Sequence, residues 1–267
     1  AKYLTAFLLM ASVFTQAVVK EIKECTEITD SGDYVLTNDI SGAQTAKDCI
    51  LIRTSNVNLD CKGYKVTDTP ANNVYAGIRI SGDNNKITNC IAEKNNIGFF
   101  VYGSGNAFTN NTANNNEMEG FYIEKSGNTF TGNTVTMNQE GFILRKGNNK
   151  FTSNTVHNNR GDGFVAWVGG NMFTSNSIQK NAAGILINGG LNNFFEDNEI
   201  SGNGRYQNED NGNIIIQYRY EGPGYGGAVS VTFKNNKISD GCGLQQERPD
   251  ASITLEGNNF CDSGTRT

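Results

Sequence analysis

Histidine occurs once, at position 157, so a histidine-built metal centre is excluded and any imidazole chemistry rests on that residue alone. There is no D-x-[DN]-x-[DN]-G loop and no nonapeptide calcium repeat, which leaves calcium without a ligand set. None of the six cysteines forms a C-x-x-C pair, and that argues against zinc or dithiol redox chemistry. Positive charge is in deficit: 22 Lys and Arg against 27 Asp and Glu give a formal charge of −5, without the basic footprint that nucleic acid demands. With 3 prolines but 31 glycines, and dense asparagine-glycine punctuation, long helices are excluded. The expectation is therefore no metal, no cofactor and no nucleic-acid partner.

The one extended apolar stretch, residues 1–17 (AKYLTAFLLMASVFTQA), reads as a signal peptide: Lys2 supplies the positive start and Thr15-Gln16-Ala17 the cleavage region. It is too short and interrupted to span a bilayer, so no membrane span is expected after signal removal. Export suits an even cysteine count read as disulfides, and the expected location is secreted, extracellular or periplasmic.

What the chain has in abundance is a cycle. From Asn85 the pattern N-x-[FI]-x-x-N returns at Asn106, Asn128, Asn149, Asn171 and Asn193, with Ile87, Phe108, Phe130, Phe151, Phe173 and Phe195 at the third position. The sixth position is Cys90 and then Asn111, Asn133, Asn154, Asn176 and Asn198; the eleventh is Asn95, Asn116, Asn138, Asn159, Asn181 and Asn203. A Gly-[FI]-x-[VLIA] segment follows, beginning at Gly98, Gly120, Gly141, Gly163 and Gly184. Short apolar bursts bent at Asn and Gly corners, on a cycle of about 22 residues, predict three strands per coil and stacked coils about 4.8 Å apart. The fold class is thus all-β, a single-stranded right-handed parallel β-helix, or solenoid, of roughly nine coils, in one domain from residue 24 to 267. Phe stacks on Phe inside it, and the asparagines satisfy corner backbone groups along amide ladders.

Residues 24–48 are expected to cap the N-terminal end, one early coil carries a loop around Pro70, and residues 203–228 interrupt the cycle as an inserted loop. Within that insertion Ile214 to Gln217 replaces the missing Gly-[FI] strand. Cys61 and Cys90 fall at equivalent points of adjacent coils, as do Cys242 and Cys261. Pairing them leaves Cys25 with Cys49, so that disulfides pin both ends.

A solid interior leaves function to outward side chains and to loops. If the Phe of each Gly-[FI] segment points inward, the next residue points out, giving the column Arg79, Phe100, Tyr122, Ile143, Val165, Leu186, with Ser81, Tyr102, Glu124, Arg145, Trp167, Asn188 beside it. Phe100, Tyr102, Tyr122 and Trp167, with Tyr218 and Tyr220 from the insertion, are the candidates for stacking on sugar rings. Arg145, Glu124, Arg160 and Asp162 are the candidates for acid-base chemistry on such a ligand. The other reading of the apolar stripe is a face covered by a tail or by the insertion.

The units 149–159 and Gly184-Ile185-Leu186-Ile187 resemble the parallel β-helix repeat proteins related to NosD and the carbohydrate-binding and sugar-hydrolase domains, a likeness running from about Ile50 to Cys261. That resemblance implies a pectate-lyase-like, exported β-helix that acts on or binds polysaccharide. The Asp-Pro-His-[Asp/Glu] motif of mannuronan C5-epimerases sharing the fold is missing, since none of Pro70, Pro223 and Pro249 neighbours a histidine. The expected partner is a polysaccharide or cell-surface glycan, bound with or without modification; the alternatives are a non-catalytic structural or adhesive surface protein, and a polysaccharide lyase or glycoside hydrolase.

Overall fold

The computed structural model describes residues 18–42, 48–68, 76–204, 212–217, 228–239, 243–246 and 250–260. The expected signal peptide, the loop around Pro70, most of the insertion, Tyr218, Tyr220, Cys242 and Cys261 lie outside these residues. Every described regular element is a short strand, and all strands pair in parallel in three sheets of 11, 10 and 10 members. The chain visits the sheets in a fixed order. In one turn Ala107–Thr109 lies in the first sheet, Thr112–Asn114 in the second and Glu119–Ile123 in the third. From Gly32–Leu36 to Leu244–Gln246 it completes nine turns, and the strands of residues 20–42 pair with this stack in register.

The corners explain the asparagines. The residue just before each ladder asparagine from Asn85 to Asn203 takes a left-handed backbone, as at Asn110 (φ 55°) before Asn111, Asn115 (φ 53°) before Asn116 and Gly127 (φ 77°) before Asn128. Such a reversal points peptide groups inward, where water cannot reach them, so a buried side chain must satisfy them. The Asn133 Oδ1 accepts from the Asn111 backbone N–H at 2.9 Å and from its Nδ2 at 3.1 Å, while the Asn133 Nδ2 donates to the Phe108 carbonyl at 3.1 Å. The same geometry recurs along the ladder Asn95 to Asn213, whose members from Asn95 to Asn181 are fully buried.

The core is built from two phenylalanine columns. Phe121, Phe142 and Phe164 stack at 4.8 Å between centroids, as do Phe130 and Phe151, and Phe130 meets Phe142 edge-on at 5.7 Å and 76°. One coil spacing is thus also one ring-stacking distance. Cys25 pairs with Cys49 and Cys61 with Cys90, as the coil positions require. Ile214–Ile216 pairs with Ile185–Ile187 and restores the third sheet within the insertion.

The glycine opening each third-sheet segment has a packing reason. A Cβ at Gly120 would lie 2.5 Å from the Val135 Cγ1 and 2.9 Å from the Gly141 carbonyl oxygen, so Gly120 faces inward together with Phe121. Two successive inward residues break the alternation of the strand, and the residue before the glycine is turned to the outside.

Candidate functional site

The outer face of the third sheet carries three parallel columns, set by registers that pair Phe100 with Tyr122, Tyr122 with Ile143, Ile143 with Val165 and Val165 with Leu186. The middle column changes character along the axis. Arg79, Phe100 and Tyr122 are half-buried, whereas Ile143, Val165, Leu186 and Ile215 are buried and pack with Ala183 into a second apolar cluster separate from the core, against which Tyr122 and Trp167 lie.

One flank is aromatic and polar. The Arg145 Nε donates to the Tyr122 hydroxyl at 3.1 Å, and its guanidinium lies 4.7 Å from the Trp167 ring centroid and 5.8 Å from that of Tyr122. An arginine between two rings is held flat and loses few rotamers on binding a ligand. Phe100 and Tyr122 are 5.2 Å apart, the Arg79 guanidinium covers Phe100 at 4.1 Å while paired with Asp48, and the Lys125 Nζ is 4.9 Å from the ring of Tyr102, which is exposed. Burial pushes the Tyr122 hydroxyl up, against the pull of Arg145, and the neighbouring Glu124 carboxylate raises it further. At the far end Asn188 is only 3 % exposed, and neither its Oδ1 nor its Nδ2 has a partner among the described residues.

The other flank is acidic; of its residues the sequence singles out Asp162, whereas Glu119 and Glu140 were missed. Glu119 pairs in register with Glu140, whose carboxylate accepts from the Asp162 backbone N–H; the Asp162 Oδ1 accepts in turn from the Ala183 N–H at 3.0 Å. Ala183 belongs to the outer cluster, which places this whole column on the outside. Glu119 is 9 % exposed, its Oε2 has no hydrogen-bond partner among the described residues, and burial raises its carboxyl above the usual range, with Arg145 opposing the shift. The readable signal was the residue before each glycine, which runs Ile97, Glu119, Glu140, Asp162, Ala183.

Of the sequence-derived candidates, Phe100, Tyr102, Tyr122, Glu124, Arg145 and Trp167 therefore share one surface, and Asp162 lies across the apolar floor from them. Arg160 is exposed at the corner before that strand. His157 lies on the second sheet against Thr136 and Asn158, its imidazole held below the usual range by burial and by Lys180. Among the described residues no group of three or more His, Cys, Asp or Glu converges closely enough to hold a metal ion. No described helix is long and apolar enough to cross a membrane.

The sequence profile of the right handed beta helix region matches residues 24–178 and 119–265. The chain belongs to the right-handed β-helix family. Solved structures similar to this β-helix include the A-module of the mannuronan C-5 epimerase AlgE4 of Azotobacter vinelandii, 14% identical, with a TM-score of 0.65 over 94% of this chain and 89% of that one. The full-length tailspike protein 2 of an Escherichia coli O157:H7 bacteriophage is 15% identical, with a TM-score of 0.65 over 87% of this chain and 38% of that one. Pectate lyase Pel9A is 17% identical, with a TM-score of 0.55 over 91% and 68%. At these identities the likeness establishes a shared right-handed parallel β-helix fold and leaves activity open. No curated protein sequence matches the chain.

Proposed function

We propose that this β-helix is an exported protein that binds polysaccharide along the outer face of its third sheet, with the chain axis of the glycan parallel to the coil axis. The observation that carries the reading is Arg145 held between Tyr122 and Trp167, continued by Phe100 and Tyr102. Aromatic rings take the apolar faces of pyranoses, and a fixed guanidinium with Glu124 beside it supplies donors and acceptors for hydroxyls. β-Helices named as a mannuronan epimerase and a pectate lyase support the ligand class, and two disulfides support export.

The buried stretch Ile143 to Ile215 favours a second reading, a covered structural or adhesive face. Affinity electrophoresis of the purified protein through gels containing separate polysaccharides decides between them. Retardation by at least one glycan, lost on Tyr122→Ala and on Trp167→Ala by about tenfold or more in affinity, is expected for the binding face. Migration unchanged by every polysaccharide overturns it in favour of the structural role.

A further inference from the structure

The corner between the first and second sheets carries the one N-x-[ST] sequence of the chain, Asn110-Asn111-Thr112, and the coil treats its two asparagines oppositely. Asn111 is a ladder residue, 1 % exposed. Its Oδ1 accepts from the Cys90 backbone N–H at 2.9 Å, and its Nδ2 donates to the Ile87 carbonyl at 2.9 Å and to the Asn133 Oδ1 at 3.1 Å. Asn110 holds the left-handed position before it (φ 55°) and is exposed. Its backbone N–H donates to the Thr131 carbonyl, and its side-chain amide meets no partner among the described residues. On the coil before, the same position is Asn89, whose amide is tied back to Asp60 at 3.0 Å. On the coil after it is Gly132, where a Cβ would lie 2.7 Å from the Asn110 Oδ1, so the glycine leaves the Asn110 amide room. Thr112 stands half-exposed two residues on.

We propose that Asn110 is the attachment site of an N-linked oligosaccharide. The proposal rests on export of the chain and is independent of what the third sheet binds. In the transfer, made to the emerging chain before the coil closes, the Asn110 Nδ2 forms a bond to the anomeric carbon of an oligosaccharide carried on a lipid diphosphate. The bond from that carbon to the diphosphate oxygen breaks, the diphosphate leaves with the electron pair, and Nδ2 gives one of its two protons to the transferase. The fold accepts the product, because the inward backbone groups of this corner are met by Asn111 and the modified nitrogen makes no bond that the ladder needs. The surface around the corner suits a glycan. Thr88, Thr109, Thr131, Thr152 and Thr174 pair in register along the first sheet, and Thr112, Thr134, Thr155 and Ser177 along the second. These two columns of neutral hydroxyls offer donors and acceptors to sugar hydroxyls without the cost of desolvating a charge. In a three-sided coil this corner lies opposite the third sheet, so an oligosaccharide there leaves Tyr122, Arg145 and Trp167 open while covering the hydroxyl columns with a bulky, solubilising group.

The test expresses the full chain, with an initiator methionine added, in a eukaryotic host whose secretory pathway makes such transfers, and recovers protein from the medium. Its mass is read before and after peptide N-glycosidase, and peptide mapping follows residue 110, which that enzyme leaves as aspartate wherever a glycan was attached. The expected result is a secreted protein heavier by one oligosaccharide, the excess lost on enzyme treatment and mapped to Asn110. Asn110→Gln and Thr112→Ala should be secreted without the added mass, and Thr112→Ser should keep it. Asn110→Gln should also keep the parent's far-ultraviolet circular dichroism, since its amide stands outside the ladder. Secreted, folded protein with Asn110 unmodified, or the same added mass in Asn110→Gln, overturns the assignment and leaves the export and binding readings standing. Unmodified chain retained in the cell overturns the export reading and this assignment with it.

Discussion

Replacing Asn154 by alanine removes one rung from a ladder that nothing else can supply. Its Oδ1 accepts from the Asn133 backbone N–H and the Asn133 Nδ2, and its own Nδ2 donates to the Phe130 carbonyl and the Asn176 Oδ1, all four at 2.9 Å. The Asn176 Oδ1 keeps the Asn154 backbone N–H as a donor and the Phe130 carbonyl stays in the strand ladder with the next coil, so alanine leaves two buried N–H groups of Asn133 unmet. At roughly 1–3 kcal/mol for each orphan, the loss is about 2–6 kcal/mol, and relaxation of the corner brings it toward about 2–4 kcal/mol. That is a large part of the roughly 5–15 kcal/mol that holds a domain together. The neighbouring exposed Thr155 provides the control, since its alanine variant should lie within about 0.5 kcal/mol of the parent. Urea unfolding followed by far-ultraviolet circular dichroism measures both. A loss below about 1 kcal/mol for Asn154→Ala, comparable to Thr155→Ala, refutes the claim that buried asparagine ladders specify these corners.

Three further outcomes follow from individual residues. Met137 is an exposed side chain held at φ 58°, so Met137→Gly should raise the urea midpoint by the equivalent of about 0.5–1 kcal/mol; an unchanged or lower midpoint contradicts the strain. Removing the Cys61–Cys90 bond, which closes a separation of 29 residues, as the double alanine variant should destabilise by about 3–4 kcal/mol on the chain-entropy account, measured by the same unfolding. Glu119 binds its proton more tightly folded than unfolded, so it leaves stability intact below the ordinary carboxylate range and lowers it as pH rises through its raised range. Glu119→Gln should therefore unfold at a higher temperature than the parent at neutral pH, with the gap closing on acidification; a gap constant with pH contradicts the shift.

The repeat was legible because stacking forces one environment on each position, so Asn, Phe and Gly return at fixed intervals and periodicity alone reports them. The corners were only partly legible. Lys94, Met137, Ser153 and Lys180 adopt the same left-handed backbone as Asn110 and Gly127, although their side chains give no sign of it; the ladder asparagine that follows each imposes the geometry. On the outer face, strict alternation counted forward from Phe121 places Tyr122 and Glu124 outside correctly. Counted backward it places Glu119 inside, and the paired inward turn of Gly120 and Phe121 reverses that assignment. For Ile143, Val165 and Leu186 the sequence left an exposed stripe and a covered face both open; alternation puts them outside but does not say whether they are buried there, and they are, with Tyr122 and Trp167 against them.

Trp167 is the only tryptophan of the chain and lies on the proposed face against Arg145, so its fluorescence reports that face and nothing else. The most direct test of the function proposed here is a titration of this emission with polysaccharide fragments. A saturable blue shift is expected as sugar displaces water from the ring, at the concentrations that retard the protein in gels, and it should weaken when Arg145 or Tyr122 becomes alanine. Binding seen by electrophoresis with no change in Trp167 emission, and unaltered by Arg145→Ala, would place the glycan elsewhere and contradict it.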